Sequence, residues 1–351
     1  MTLGNASWGL SLPASDGMGV VVSAEDLARR RATGLHVAGR KMAENPGIIG
    51  VMLIGSSARG EARPESDVDL LLFNATTMCD DWLVRHYYES HDGYMIECNE
   101  IAASAGLDVE KALSDAYWVS GVHDGLVLLD PQGRLTSAQQ RIRAAFMEPA
   151  RLRRRLGPVI ETVGRNVQGL HGAVEAKDRA VFCWRLSFAL WTIGDALLVR
   201  RGRAPSRFHG LERLRASDPD EWRTMLQLQG LAEVSAAEAL EQLAFFEERR
   251  VIVGGTLGAF RGMAGRGAHR EALHVAWSEL GLFIRERVRA GEEGGLAAAG
   301  ATAEKWLSRL GWDDDVLAAK APELAGFFAH VGWACDGGLP SADTACMGGT
   351  P

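Results

Sequence analysis

The sequence is short of several things, and each shortage removes a class of function. No stretch of its 351 residues approaches the ~18 consecutive apolar residues that a membrane-crossing helix needs, so no membrane partner is expected. Basic residues do not predominate: 38 Lys+Arg against 45 Asp+Glu leave a formal charge of -7. Nucleic-acid binding calls for a basic stripe that neutralises phosphates. The one local cluster, Arg151, Arg153, Arg154 and Arg155, reads as a solvated helix face, so no nucleic-acid partner is expected either. The five cysteines include no C-x-x-C pair, which leaves zinc without a signature. Their odd count and wide spacing fit reduced intracellular thiols, and Cys98 and Cys183 read as small core residues. The first twenty residues lack a basic segment followed by a long apolar one, so they do not read as a signal peptide, and a cytoplasmic location is expected.

Two nucleotide-binding signatures are also missing. There is no G-x-x-x-x-G-K-[S/T] loop. The glycine-rich run 251-VIVGGTLGAFRG-262 lacks the G-x-G-x-x-G spacing and sits among helix-like segments, so it reads as a break between helices.

What is present divides the chain in two. Residues 1–22 read as a loose extension. Ser23 opens S-A-E-D, a helix cap with acids in the first turn, and that helix should stop before Asn45-Pro46. Strands are expected at 48-IIGVMLI-54, from Asp67 through 68-VDLLLF-73, at 94-YMIECNEI-101 and at 126-LVLLD-130. Residues 80–90 and 107–119 read as helices. Beyond about residue 136 apolar residues recur at three-to-four spacing over 137–155, 158–171, 178–200, 220–228, 234–250 and 270–289. The pattern predicts an α+β fold: a small mixed sheet over 23–135, an all-helical part over 136–335 and a tail at 336–351. Residues 291–301, GEEGGLAAAGA, read as a flexible connection.

The chemistry concentrates in 51-VMLIGSSARGEARPESDVDLLLF-73. Asp67 and Asp69 lie two apart at the start of a strand and so project to the same face. Two neighbouring carboxylates repel, and a divalent cation removes that cost. Magnesium prefers a few carboxylates together with phosphate oxygens. The upstream turn Gly55-Ser56 offers close backbone approach, free N–H groups and a hydroxyl to a phosphate, and Arg59 and Arg63 can meet its charge.

G-S-S-A-R-G-E-A-R-P-E-S-D-V-D-L-L-L resembles the signature of the nucleotidyltransferase superfamily related to DNA polymerase beta, within it the minimal and aminoglycoside nucleotidyltransferases. The likeness is strong over 50–73, weak over 90–130, and beyond that lies only in helicity. It implies that Asp67 and Asp69 bind magnesium, as two ions, and that Gly55 and Ser56 hold the triphosphate, with Ser66 in the same cofactor-binding set. It also implies a third acid, either completing the metal site or serving as general base. Glu97 and Glu100 are the candidates and face opposite sides of a strand. Glu97 is preferred because it interrupts an apolar run, although an edge-strand charge would look the same.

In the helical half, Asp195 falls inside the apolar segment 184–200, either facing the cleft or bonding a neighbouring helix. Arg207, in the basic loop after it, could substitute for the lysine or arginine that the family's helical domain lends to the phosphates; His209 reads as structural. The acids Glu238, Glu241, Glu247 and Glu248 read as a solvated helix face. Together these features point to magnesium-dependent transfer of a nucleoside monophosphate to a hydroxyl of a small molecule such as an antibiotic or a biosynthetic intermediate, and the resemblance alone implies that it is AMP from ATP. The enzyme would be a monomer or a homodimer. The rivals are transfer to a protein hydroxyl and a nucleotide-binding module without catalysis.

Overall fold

A computed structural model describes residues 21–64, 66–76, 83–115, 118–203, 205, 210–248, 255–289 and 293–332. The sheet-bearing part runs α1 (Ala24–Glu44), β1 (Ile48–Ile54), α2 (Gly55–Arg59), β2 (Val68–Asn74), β3 (Leu83–His91), β4 (Tyr94–Ala102), α3 (Ala103–Gly106), α4 (Val109–Ser114), α5 (Trp118–Asp124) and β5 (Leu126–Leu129). Helices follow: α6 (Arg134–Ala145), α7 (Pro149–Glu175), α8 (Arg179–Arg200), α9 (Gly210–Ser217), α10 (Pro219–Leu228), α11 (Ala236–Glu248), α12 (Gly255–Gly265), α13 (His269–Arg289), α14 (Glu293–Leu310) and α15 (Asp314–Gly332). The architecture is α+β, with a small mixed sheet first and a mostly helical region after it.

The sheet has the order β3-β4-β2-β1-β5, with β2 and β4 parallel and the other neighbours antiparallel. Alternation along β2 sorts its side chains. Val68, Leu70 and Leu72 pack with Val37 and Ala38 of α1 on one face. Leu71 and Phe73 pack on the other face with Val109, Leu113, Val122, Ile142 and Phe146 from the helices α4 to α6 and the residue after them. Asp69 shares this second face, at the strand end that those helices leave uncovered.

Helix α1 begins as the sequence suggests: Ser23 Oγ accepts from Asp26 N at 3.1 Å, and Asn45 ends the helix. Its arginines then grip the loop between β1 and β2. Arg31 donates to the carbonyls of Ser57 and Ala58 at 3.1 and 3.0 Å. Arg30, buried and paired with Asp26 at 2.8 Å, reaches the carbonyls of Ser66 and Pro64. Backbone oxygens that a loop would otherwise give to water are thereby satisfied by fixed cations.

The structure corrects several expectations. Residues 83–91 of the segment read as a helix form a strand, β3. Asp92 and Gly93, with φ of 51° and 79°, supply the two positive values that a tight hairpin needs, and β3 folds back on β4 through them. Residues 107–119 hold no single helix; α4 ends at Ser114 and α5 starts at Trp118. The segments 137–155 and 158–171 do not part near 156, since α7 runs unbroken over Pro158. Residues 293–301 of the supposed flexible connection open α14, whose Ala303, Trp306 and Leu307 are buried. Arg155 is no surface charge either: it is fully buried, stacked 4.2 Å from the Phe146 ring centre and bonded to the Phe146 carbonyl.

The other helical expectations correspond to α8, α10, α11 and α13, whereas the glycine-rich run read as a break between helices is itself helical over 255–262, in α12. Helix α8 is long and apolar enough to cross a membrane, yet 67% of its most apolar window is buried inside the protein. It is the central helix of the larger core, contributing Phe182, Leu186, Leu190, Ile193 and Leu197. Glu241 of α11 is exposed and Glu238 half-buried, and both pair with Arg309. The extension 1–20, the tail 333–351, and Arg207 and His209 lie outside the described residues.

Candidate active site

Three carboxylates converge at the open end of β2 and β4. Ligand oxygens of Asp67, Asp69 and Glu97 all lie within 4.8 Å of one another, and the three residues are half-buried. The strands dictate this. Asp67 and Asp69 are two residues apart, and the parallel register sets Asp69 directly beside Glu97. Burial, then the charge of Glu97, pushes the Asp67 carboxyl up to about 6. Burial, then Asp67 and Glu97, raises Asp69 well above the usual carboxylate range. Three acids held this close are costly to ionise together. An all-oxygen donor set of this size matches a hard divalent cation, and the electrostatic conflict is the kind such an ion relieves.

Glu100 is on the opposite face. It is buried and accepts a hydrogen bond from Asn74 Nδ2, away from the triad. The three-residue spacing that separated the two glutamates on the sequence therefore places one at the cluster and one in a structural contact.

The Gly55-Ser56 turn abuts the same cluster. Ile54 pairs with Asp69 across β1 and β2. Gly55 follows with φ 69°, a left-handed value that favours glycine. A Cβ at this position would lie 2.0 Å from Asp69 Oδ2. Gly55 and Ser56 open the single turn α2 next to the acids.

The arginines of the loop divide. Arg59 stays partly exposed and pairs with Glu61 at 2.9 Å. Arg63 is buried, with both terminal nitrogens on the Glu212 carboxylate of α9. That pairing turns Arg63 away from the expected phosphate role and makes it a brace between the loop and α9. Arg213 of α9 meets Glu61 in the same way. Ser66 is committed to the loop as well: its Oγ accepts from Arg63 N at 3.0 Å. Asp195 is buried in α8, and a Cβ on Gly210, at the start of α9, would stand 3.9 Å from its Oδ1.

Sequence reasoning missed His86. Its Nε2 lies 2.8 Å from Glu97 Oε1. It was hidden in a segment read as helix; the signal available was H-D-G-Y after a Val- and Tyr-containing run, a hairpin cue. Glu61, Glu212 and Arg213 were missed too, and their pairings span more than a hundred residues of sequence.

With this geometry in view, residues 40–77 match the family model of the nucleotidyltransferase domain. The matched stretch covers β1, the Gly55-Ser56 turn and both aspartates. Over this stretch the chain carries a nucleotidyltransferase domain, which supports a transferase. No curated protein matches it in sequence. Among solved structures it is similar to a nucleotidyltransferase-like protein from Exiguobacterium sibiricum 255-15, with 14% identity and a TM-score of 0.37, over 85% of this chain and 91% of that one.

Proposed function

We propose that the enzyme transfers a nucleoside monophosphate, AMP from ATP, to a hydroxyl of a small molecule and releases pyrophosphate, with magnesium as its metal. The observation that carries this reading is the convergence of Asp67, Asp69 and Glu97 within 4.8 Å beside a glycine that leaves room for Asp69 alone. Those three carboxylates would hold magnesium, which supplies charge neutralisation for the triphosphate when bound. The chain's own groups do the rest. Gly55 and Ser56 present backbone N–H groups and a hydroxyl to phosphate oxygens. Arg59 adds a cation at the edge of the turn. Glu97 is the one of the three on β4, between β2 and the edge strand β3. It either completes the metal site or takes the proton of the attacking hydroxyl. Pyrophosphate departs opposite the incoming oxygen.

The sheet-bearing segment 23–135 is read as the catalytic domain, and the helices of 136–335 as the part that closes over nucleotide and acceptor. The test is pyrophosphate release from each of four nucleoside triphosphates, with and without magnesium, against a panel of hydroxylated small molecules. Metal-dependent release that needs an acceptor and is absent in Asp67→Asn supports the reading. Label from ATP marked at its α-phosphate appearing on a protein band in lysate instead would transfer the proposal to a protein acceptor.

A further inference from the structure

We infer that His86 is a positioning residue for this site, acting through Glu97; the inference rests on the function proposed above. The edge strand β3 places His86 and Tyr88 on the same face of the sheet as Glu97, because Tyr88 is paired with Glu97 and His86 with Asn99. A carboxylate only accepts, so His86 Nε2 donates to Glu97 Oε1 across 2.8 Å. The His86 ring in turn meets the edge of the Tyr88 ring, with centres 4.9 Å apart and planes at 73°. His86 is thus held on two sides, by a ring contact and by the acid it serves.

The consequence for Glu97 is orientational. A glutamate side chain turns freely about its last bond unless one oxygen is engaged. With Oε1 committed to His86, the rotation of that carboxylate is set, and so is its approach to Asp67 and Asp69. Groups one step out from a metal ligand commonly change metal affinity or turnover 10–100-fold. His86 needs no change of charge to act in this way. Its side chain is 38% exposed, so its removal opens no large cavity and costs little stability.

The experiment uses the full chain and Mn2+ alone as the probe, with binding followed by the loss of free-ion EPR signal. In His86→Leu, Mn2+ affinity should fall about ten-fold or more while the melting temperature in metal-free buffer stays with the wild type. In His86→Gln, whose amide nitrogen sits where Nε2 does, affinity should return to within about three-fold of wild type, as the retained hydrogen bond requires. A merely structural residue would not show rescue by the variant that keeps only the donor. Equal Mn2+ affinity in wild type and His86→Leu overturns the inference and leaves the proposed function standing. A wild-type chain that binds no Mn2+ overturns both together.

Discussion

Gly55 and Asp69 are fitted to each other: the place where a Cβ would stand on the glycine is 2.0 Å from the aspartate's Oδ2. Gly55 also holds φ at 69°. Gly55→Ala therefore meets two penalties at once, a left-handed backbone costing about 1–2 kcal/mol and displacement of a carboxylate. The expected outcome is a folded protein with turnover reduced at least about 100-fold, since a shift of roughly 1 Å in a reacting array is worth that much. Circular dichroism and pyrophosphate release measure the two effects separately.

The two glutamates of β4 should divide between chemistry and stability. Glu97→Gln keeps the shape of the side chain and removes its charge, so turnover should fall by about 100-fold or more. Glu100→Ala leaves Asn74 Nδ2 without its buried acceptor. That should cost about 1–3 kcal/mol of stability with turnover per folded molecule unchanged. Equal loss of turnover in both variants would contradict the facing seen in β4.

Acidity gives a third prediction. Asp67 is pushed up to about 6 and Asp69 well above the usual carboxylate range, so the folded protein holds protons that the unfolded chain has released. Without metal, stability should therefore fall as pH rises from about 4, where the unfolded aspartates ionise, through 6 and beyond. A divalent cation offsets this penalty, so the rise in melting temperature on adding magnesium should be larger at pH 7.5 than at pH 5. Asp69→Asn should flatten the metal-free pH dependence. Thermal melts across pH, with chelator and with magnesium, test all three statements.

The buried pair of Arg63 and Glu212 yields a fourth. Glu212→Ala strands a buried guanidinium and should cost about 3–5 kcal/mol. The double variant Arg63→Met/Glu212→Leu removes both charges and should regain most of that loss. Denaturant unfolding of the single and double variants supplies the comparison.

Much of the site was legible because its logic is local. Asp67 and Asp69 are two apart on a strand, and the Gly-Ser turn ends the strand before it, so period and turn chemistry suffice to group them. Glu97 needed the parallel register of β2 and β4, which a sequence does not state, and so Glu100 stayed open beside it. His86 was invisible for a different reason: W-L-V-R-H-Y-Y satisfies both a helical stripe and a strand, and only the Asp92-Gly93 hairpin decides. The partner of Arg63 lies across the fold, beyond the reach of spacing rules. A cation near a phosphate-like turn was read as a ligand because nothing in its neighbourhood names Glu212. Alanine and glycine likewise concealed α14, whose helical state is secured by burying Trp306 and Leu307 rather than by its first turn.

The crossed attachments of α9, Glu212 to Arg63 and Arg213 to Glu61, fix how the molecule can be taken apart. The loop beside the acids borrows its rigidity from a helix more than a hundred residues downstream. An excised N-terminal half would retain every acid of the triad and still lose its scaffolding, because Arg63 would be left with an empty socket. Heat or urea should accordingly melt both halves in a single concerted transition, and evolution could not exchange the C-terminal part of this enzyme without refitting the loop beside its acids.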